Sequence, residues 1–496
     1  MPTPEPDGPP PRGRLAEHAA LVRALALRLG ARVIETHISW ILLTPAHAYK
    51  LKKPVRLAFL DYATLRKRRH FCHEEVRVNR RTAPSLYLGV ARITGNPSAP
   101  EIDGAGPVLD YAVHMRRFAD GALFSERLAA GTLTARDVDE LAAMLAAAHA
   151  AAPVRRHVTA EHTGHAPPLR RALAALEGVR PMLSAAESAG LQAWLEAGAR
   201  KLEPEWVSRR RSGHVRECHG DLHLDNIVDL DGAVAGFDAI EFDPALRWID
   251  VAEDAAFPAM DFAARGRPDF AWRFLNAWLD ATGEQQAAGV LRYALVYRAL
   301  VRAQVEHLRA GRCAAATAYV RAALEWSHPA LPRLVITHGL PGSGKTFQSQ
   351  RLLEQHGAIR VRSDVERKRL FGLGALESSR AHGLDIYSRE ATARTYEQLF
   401  ALARTLLGAG FSVVIDAAFL RRAERDAAHE LARRCGVRFQ ILACQAPDGV
   451  LRERLAARTS DASEADAAVL RQLRAAAEPL AADEPLLPSP LAAAHG

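Results

Sequence analysis

Cys218-His219-Gly220-Asp221-Leu222-His223-Leu224-Asp225-Asn226 forms a polar loop of the type His-x-Asp-x-x-x-x-Asn, bracketed by apolar residues at Val215 and at Ile227-Val228. That spacing suits phosphoryl transfer. The chemistry needs one carboxylate to orient and deprotonate an acceptor hydroxyl, a role that falls on Asp221. It also needs hard oxygen ligands for a magnesium ion that neutralises charge on the phosphate oxygens. Asn226 offers one such oxygen. Asp238, twelve residues later and after a short expected strand Ala233–Phe237, offers another.

A second constellation lies far downstream. Gly339-x-x-x-x-Gly344-Lys345-Thr346 matches the phosphate-binding P-loop in full, with the strand-like RLVITH before it and the helix-like TFQSQRLLEQ after it. The backbone N–H groups of Gly339, Gly342, Ser343 and Gly344, with the helix N-terminus behind them, are expected to bind phosphate. Lys345 is expected to reach the β- and γ-phosphates and Thr346 to hold magnesium. Two unrelated phosphate-handling motifs in one chain imply two separate ATP sites.

Other elements must position these groups. A helix is expected over Leu15–Leu29, followed by two strands within VIETHISWILLTPAHAYKLKKPV joined by a Pro-Ala-His turn. In the second strand, period-two alternation puts Ala48, Lys50 and Lys52 on one face and Tyr49 and Leu51 on the other. A helix containing Glu74 and Glu75 follows. The arrangement resembles kinase-like small lobes, where a lysine on such a strand, paired with a helix glutamate, holds the α- and β-phosphates of ATP. Lys50 and Glu75 are the chosen pair, with Lys52 and Glu74 as alternatives. Further on, VLDYAVHMRRF reads as a strand and Thr134–Ala151 as a long helix. Residues 269–331 read as largely helical, including an amphipathic stretch YALVYRALVRAQVEHLRAG.

Composition sets the outer bounds. At 496 residues the chain exceeds a single core, so two or three domains are expected. The formal charge of +8 comes from arginine, since only seven of the 65 basic residues are lysines. Together with abundant alanine this reads as compositional bias, and clusters such as Arg66-Lys67-Arg68-Arg69 as solvated helix faces. A lysine retained in an arginine-rich chain suggests a need for a compact ammonium, which fits Lys50, Lys52 and Lys345. The five cysteines show no zinc or disulfide spacing. No stretch reads as a signal peptide or a membrane span, so a cytoplasmic location is expected.

HGDLHLDNI followed by FDAIEFDPALRWIDVAEDAAF resembles the aminoglycoside phosphotransferase and choline kinase branch of the kinase-like superfamily. That resemblance implies Asp221 as base, Asn226 and Asp238 as metal ligands, Glu241 as an additional ligand and Asp250 as the anchor of the loop. It also fits the lack of a glycine-rich loop ahead of Lys50. The order from Arg333 onward (strand, P-loop, helix, strand with Asp364, helix, strand with Asp416, helix, strand, arginine-rich lid) resembles the small P-loop kinases. This second resemblance implies Asp364 as candidate base, with Arg362 or Arg367 nearby for substrate. It implies Asp416 in the Walker B position as a magnesium-holding residue, and Arg454 and Arg458 stabilising charge on the transferring phosphate.

The expected architecture is therefore two domains. An N-terminal α+β kinase-like, bilobal fold of the aminoglycoside phosphotransferase type spans 15–330, and a C-terminal α/β P-loop NTPase with a parallel sheet spans 331–482, with tails at 1–14 and 483–496. The expected activity is ATP- and Mg2+-dependent transfer of the γ-phosphoryl group to a hydroxyl of a small molecule. The alternatives are a nucleic-acid 5′-hydroxyl kinase working through the P-loop domain, which is less favoured, and a non-catalytic ATP-binding regulator.

Overall fold

Alternation in the first strands decides what faces what. In a computed structural model that describes residues 12–57, 60–155, 166–328, 330–457, 462–464 and 467–487, strand His47–Lys52 pairs antiparallel with Ser39–Leu43 and with Val108–Arg116. Tyr49 and Leu51 pack with Trp40 and Leu42 against helix Arg12–Leu29 through Leu21, Val22 and Leu25. Ala48, on the opposite face, packs against Cys72 and Val76 of helix Leu65–Asn79. Lys50 and Lys52 share that face, so the pleat directs both ammonium groups toward the helix bearing Glu75.

The full sheet runs Arg32–Glu35, Ser39–Leu43, His47–Lys52, Val108–Arg116, Tyr87–Asn96, Ala99–Ile102. The segment expected to hold two strands holds three. The additional turn has no glycine or proline to announce it: Thr36 closes it by accepting the Ser39 N–H at its Oγ1, 3.0 Å away, while the Thr36 N–H donates to the Ser39 carbonyl. With the polar loop and its flanking hairpins, this sheet forms one compact unit, 1–157 and 210–254.

The other compact unit comprises 158–209 and 255–496. Its centre is a four-stranded, wholly parallel sheet ordered Ile359–Arg362, Val413–Asp416, Arg333–His338, Arg438–Ala443. Central positions such as Leu334, Ile336, Val413 and Ile415 are fully buried, as in a sheet covered on both faces. Helices Pro268–Thr282, Ala288–Ala310 and Ala314–Ser327, expected from sequence within the first domain, belong to this unit. The limit at 330 thus does not coincide with the boundary between compact units.

Two side chains explain that packing. Asn276 lies against the outer edge of strand Ile359–Arg362, donating from Nδ2 to the Ala358 carbonyl at 2.9 Å and accepting the Arg360 N–H at 2.6 Å. It supplies the hydrogen bonds a neighbouring strand would have supplied. Arg292 donates to the carbonyls of Ala409 and Gly410 at 2.7 and 2.9 Å, and to Trp326 at 3.0 Å.

At the ends, residues 1–11 and 488–496 of the expected tails lie outside the described residues, and Arg12–Arg14 open the first helix. Residues 484–487 are held: the Ile441 N–H donates to the Pro485 carbonyl, the Leu487 N–H returns to Ile441, and Glu484 pairs with Arg425 at 2.6 Å.

Candidate active sites

In the first unit the polar loop is fastened from below. Asp254, fully buried, accepts the N–H groups of His219 at 3.2 Å and Gly220 at 2.8 Å, and also contacts His149 Nε2 at 3.0 Å. Burial alone would raise its pKa, but the His149 contact and the loop amides hold it down at about 2. The loop amides therefore anchor on Asp254 and not on Asp250, which the resemblance had suggested. Asp250 caps the Ala252 N–H at 2.9 Å, at the start of the helix whose next turn presents Asp254.

A tight hairpin sets the distance between Asn226 and Asp238. Strands Ile227–Leu230 and Ala233–Gly236 are joined by Asp231-Gly232, both at positive φ, the two-residue turn whose twist matches antiparallel strands. Ile227 lies opposite Gly236, and the Phe237 N–H donates to the Asn226 carbonyl at 2.9 Å. The twelve-residue spacing is thereby folded into adjacency. Asn226 Nδ2 donates to the Asp221 carbonyl at 2.9 Å, and His219 Nε2 lies 2.8 Å from the Phe237 carbonyl. Burial lowers the His219 pKa, which keeps the imidazole neutral for that contact. Asp238 sits at φ +60°, its N–H on Tyr87 Oη at 3.0 Å and the next N–H on Asn79 Oδ1 at 2.8 Å.

Both lysines reach the same glutamate. Lys50 Nζ lies 3.0 Å from one Glu75 oxygen and Lys52 Nζ 2.6 Å from the other, with Glu75 fully buried. Lys50 also contacts Asp238 at 2.5 Å, and Lys52 contacts Glu241, which in turn accepts from Tyr62 Oη. Burial opposes the charges of Glu75, Lys50 and Lys52, yet their mutual pairing wins. Glu75 falls to about 2 and both lysines stay above their ordinary value. Glu74 points elsewhere, to Arg77 and Arg247. Glu241, proposed from the resemblance as an additional ligand, is engaged by Lys52 and Tyr62 and only 5% exposed. Asp221 and Asp238 remain 33% and 42% exposed, with His223 Nε2 3.5 Å from the Asp221 carboxylate. Asp238 and Asn226 thus offer the oxygen donors a magnesium ion requires.

The second unit holds a cleft of about 1080 Å3 lined by Gly342, Gly344, Lys345, Thr346, Asp364, Asp416 and Arg454 together with an aromatic flank. Gly339 is obligatory: a Cβ there would stand 2.2 Å from the Cys444 carbonyl oxygen and 2.7 Å from Ser343 Oγ. Gly344 has φ +88° and passes the chain directly into helix Lys345–His356. Lys345 Nζ donates to the carbonyls of Gly339 and Leu340 at 3.0 Å each, folded over the cradle. Ser343 Oγ is buried without a hydrogen-bond partner among the described residues, as a group built to meet a phosphate would be. This glycine-lined cradle and the Thr346 and Asp416 oxygens fit a magnesium nucleotide.

Asp416 ends its strand at 5% exposure and accepts from Ser349 Oγ at 3.4 Å. Asp364, expected at a strand tip, sits in the first turn of helix Ser363–Leu370. Arg454 Nη1 donates to the Gly342 carbonyl at 3.1 Å. Arg367 is buried and donates to the Ile386 carbonyl at 2.9 Å, over the ring of Tyr387. Arg458 lies outside the described residues. Sequence reasoning missed Tyr396, whose Oη accepts the Phe419 N–H at 3.2 Å inside the cleft, and Arg360, whose Nη1 reaches the Thr346 carbonyl at 3.1 Å. The alternation Ile-Arg-Val-Arg at 359–362, unusual in a buried parallel strand, was the available signal for Arg360.

Fold and sites define a chain of two kinase-type halves, a kinase-like α+β module with a paired strand lysine and helix glutamate, and a P-loop module on a parallel sheet. The AAA domain family AAA_33 matches residues 334–480. Along most of its length the chain is similar to the uncharacterised proteins Rv2004c of Mycobacterium tuberculosis (strain ATCC 25618 / H37Rv) and Mb2027c of Mycobacterium bovis, each 30% identical over 453 residues that cover 89% of both chains. It belongs to their family. Among solved structures, a choline/ethanolamine kinase family protein from Mesorhizobium loti is 12% identical, over 62% of this chain and 95% of that one, with a TM-score of 0.38. A sugar kinase from Janibacter sp. HTCC2649 is 21% identical, over 32% of this chain and 83% of that one, with a TM-score of 0.26. No helix among the described residues is long and apolar enough to cross a membrane.

Proposed function

We propose that the protein transfers the γ-phosphoryl group of ATP to a hydroxyl of a small molecule, with the P-loop cleft as a transfer site and a second ATP site at the strand lysine. The observation that carries this reading is the convergence of the P-loop, Asp416, Asp364 and Arg454 on one cleft whose volume of about 1080 Å3 leaves room for an acceptor beside a nucleotide. In it Lys345 and Thr346, with a Mg2+ ion held by Thr346 and Asp416, bind the phosphates. Asp364 takes the acceptor proton, and Arg454 faces the charge that develops on the moving phosphoryl group. When bound, magnesium supplies charge neutralisation at the phosphate oxygens. The aromatic flank at Tyr387, Tyr396 and Phe400 favours an acceptor with an apolar body.

At the first site Asp221 is the candidate base, Lys50 with Glu75 positions ATP, and Asn226 and Asp238 hold the metal. A second reading of this site alone, as an ATP-binding regulator, is favoured by the contact of Lys50 with Asp238, which a metal–nucleotide must open. The deciding experiment follows γ-labelled phosphate from ATP into a pooled metabolite extract and into 5′-hydroxyl oligonucleotides, with Asp221→Asn and Lys345→Ala beside the wild type. A labelled metabolite lost in Lys345→Ala supports transfer in the cleft. Labelled oligonucleotide moves the activity to nucleic acid, and ATP binding without any labelled product overturns the enzymatic reading.

A further inference from the structure

A buried polar chain runs from the helical layer to the metal end of the P-loop. It starts at Asp280, on helix Pro268–Thr282, whose Oδ2 lies 3.8 Å from Arg360 Nη2 and 3.9 Å from Arg362 Nη1. Arg360, only 6% exposed, spans the gap: its Nη1 donates to the Thr346 carbonyl at 3.1 Å and to Ser349 Oγ at 3.4 Å. Ser349 Oγ in turn reaches Asp416 Oδ2 at 3.4 Å. The first two members of the chain are under-satisfied, since Asp280 Oδ1 and Arg360 Nε are buried with no hydrogen-bond partner among the described residues.

Arg360 touches the Thr346 carbonyl and, through the Ser349 hydroxyl, reaches Asp416, the two residues that would hold a magnesium ion. A buried guanidinium at such a place repels a cation and attracts Asp416 unless another carboxylate holds it. Asp280 is that carboxylate. The fork of an arginine is required as well, because one nitrogen must face the P-loop helix while another faces Asp280.

We propose that Asp280 and Arg360 are positioning residues of the P-loop metal site, a charge relay Asp280–Arg360–Ser349–Asp416 through which the helical layer sets the geometry and charge of the magnesium-binding end. The relay rests on the reading of the cleft as a metal–nucleotide site, and its test separates the two.

The test uses the full chain carrying Asp238→Ala, so that the metal of the first site does not contribute, and reads Mn2+ affinity in the presence of ADP by electron paramagnetic resonance. Thr346→Ala sets the baseline. Asp280→Asn is expected to weaken Mn2+ binding roughly 10–100-fold, the range for groups that orient metal ligands, without weakening metal-free ADP binding. Asp280→Asn combined with Arg360→Gln removes both charges and is expected to recover affinity toward the parent, a coupling that a merely structural role would not produce. Unchanged Mn2+ affinity in Asp280→Asn overturns the relay and leaves the metal–nucleotide reading intact. Parallel loss of metal-free ADP binding and of thermal stability in both variants also overturns it, in favour of simple support of the fold. If the parent shows no Mn2+–ADP signal that Thr346→Ala removes, the relay and the metal–nucleotide reading fall together.

Discussion

The two candidate sites solve the same electrostatic problem by opposite means. At the first, the groups that would handle nucleotide and metal are already paired with one another: Lys50 and Lys52 hold both oxygens of Glu75, and Lys50 also holds Asp238. At the second, the phosphate cradle is backbone, shaped by glycines around a cleft, with a buried Ser343 hydroxyl awaiting a partner. A side-chain site stores its charge in internal ion pairs and must rearrange to bind. A backbone site is shaped before any ligand arrives.

The largest effects test whether each site transfers phosphate at all. Asp221→Asn is expected to lower transfer at the first site by roughly 10²–10⁴-fold, the contribution of a general base. Lys345→Ala is expected to lower transfer in the cleft by roughly 10²–10³-fold, as for loss of one preorganised charge contact. Single-turnover transfer from γ-labelled ATP reads both. Dependence of one product on both residues would place the two sites in series.

Stability should sharpen the contrast next. Lys52→Met leaves Glu75 and Glu241 short of a buried counter-charge and is expected to cost about 3–5 kcal/mol. Lys345→Ala, which removes hydrogen bonds to the Gly339 and Leu340 carbonyls, should stay within about 1 kcal/mol of wild type. Urea unfolding distinguishes them, and equal losses would erase the distinction between the sites.

Acid should act on the first unit through Asp254. Its folded pKa of about 2 lies below the ordinary carboxylate value, so the stabilisation is fully present above the unfolded pKa and disappears as pH falls through about 2. Asp254→Asn is expected to lose on the order of 2 kcal/mol at neutral pH. The gap to wild type should close progressively below about pH 4, as measured by thermal melts across pH. A further modest effect is expected for Gly344→Ala, where φ +88° strains any side chain, at roughly 1–2 kcal/mol. Calorimetry reads that strain, which should be accompanied by weaker nucleotide binding.

Legibility in the sequence followed the range of the contacts. The P-loop lies within eight residues, so its types and spacing carry nearly all its geometry, and the structure adds the reason Gly339 admits no Cβ. The His-x-Asp-x-x-x-x-Asn loop was equally local, and the Asp-Gly turn that brings Asp238 back to Asn226 follows from two residues. The sharing of Glu75 by Lys50 and Lys52 was not legible, because alternation places both on one face and only the docked helix shows that one carboxylate serves two ammonium groups. Asp254 and Asp250 are one helical turn apart, and sequence offers no means to tell which faces the loop. Asp280 and Arg360 are separated by 80 residues, and only tertiary packing brings them together.

Asn276 on the outer edge of strand Ile359–Arg362 has one more consequence. A parallel sheet ending in an unpaired strand is a template on which other chains can build, and here a single side-chain amide occupies that template. A P-loop fragment severed from its helices at 330 would uncover the strand beside its own nucleotide cleft. Such a fragment would self-associate through strand addition, and its failure to behave as a monomer would reflect a missing amide from the other half of the chain.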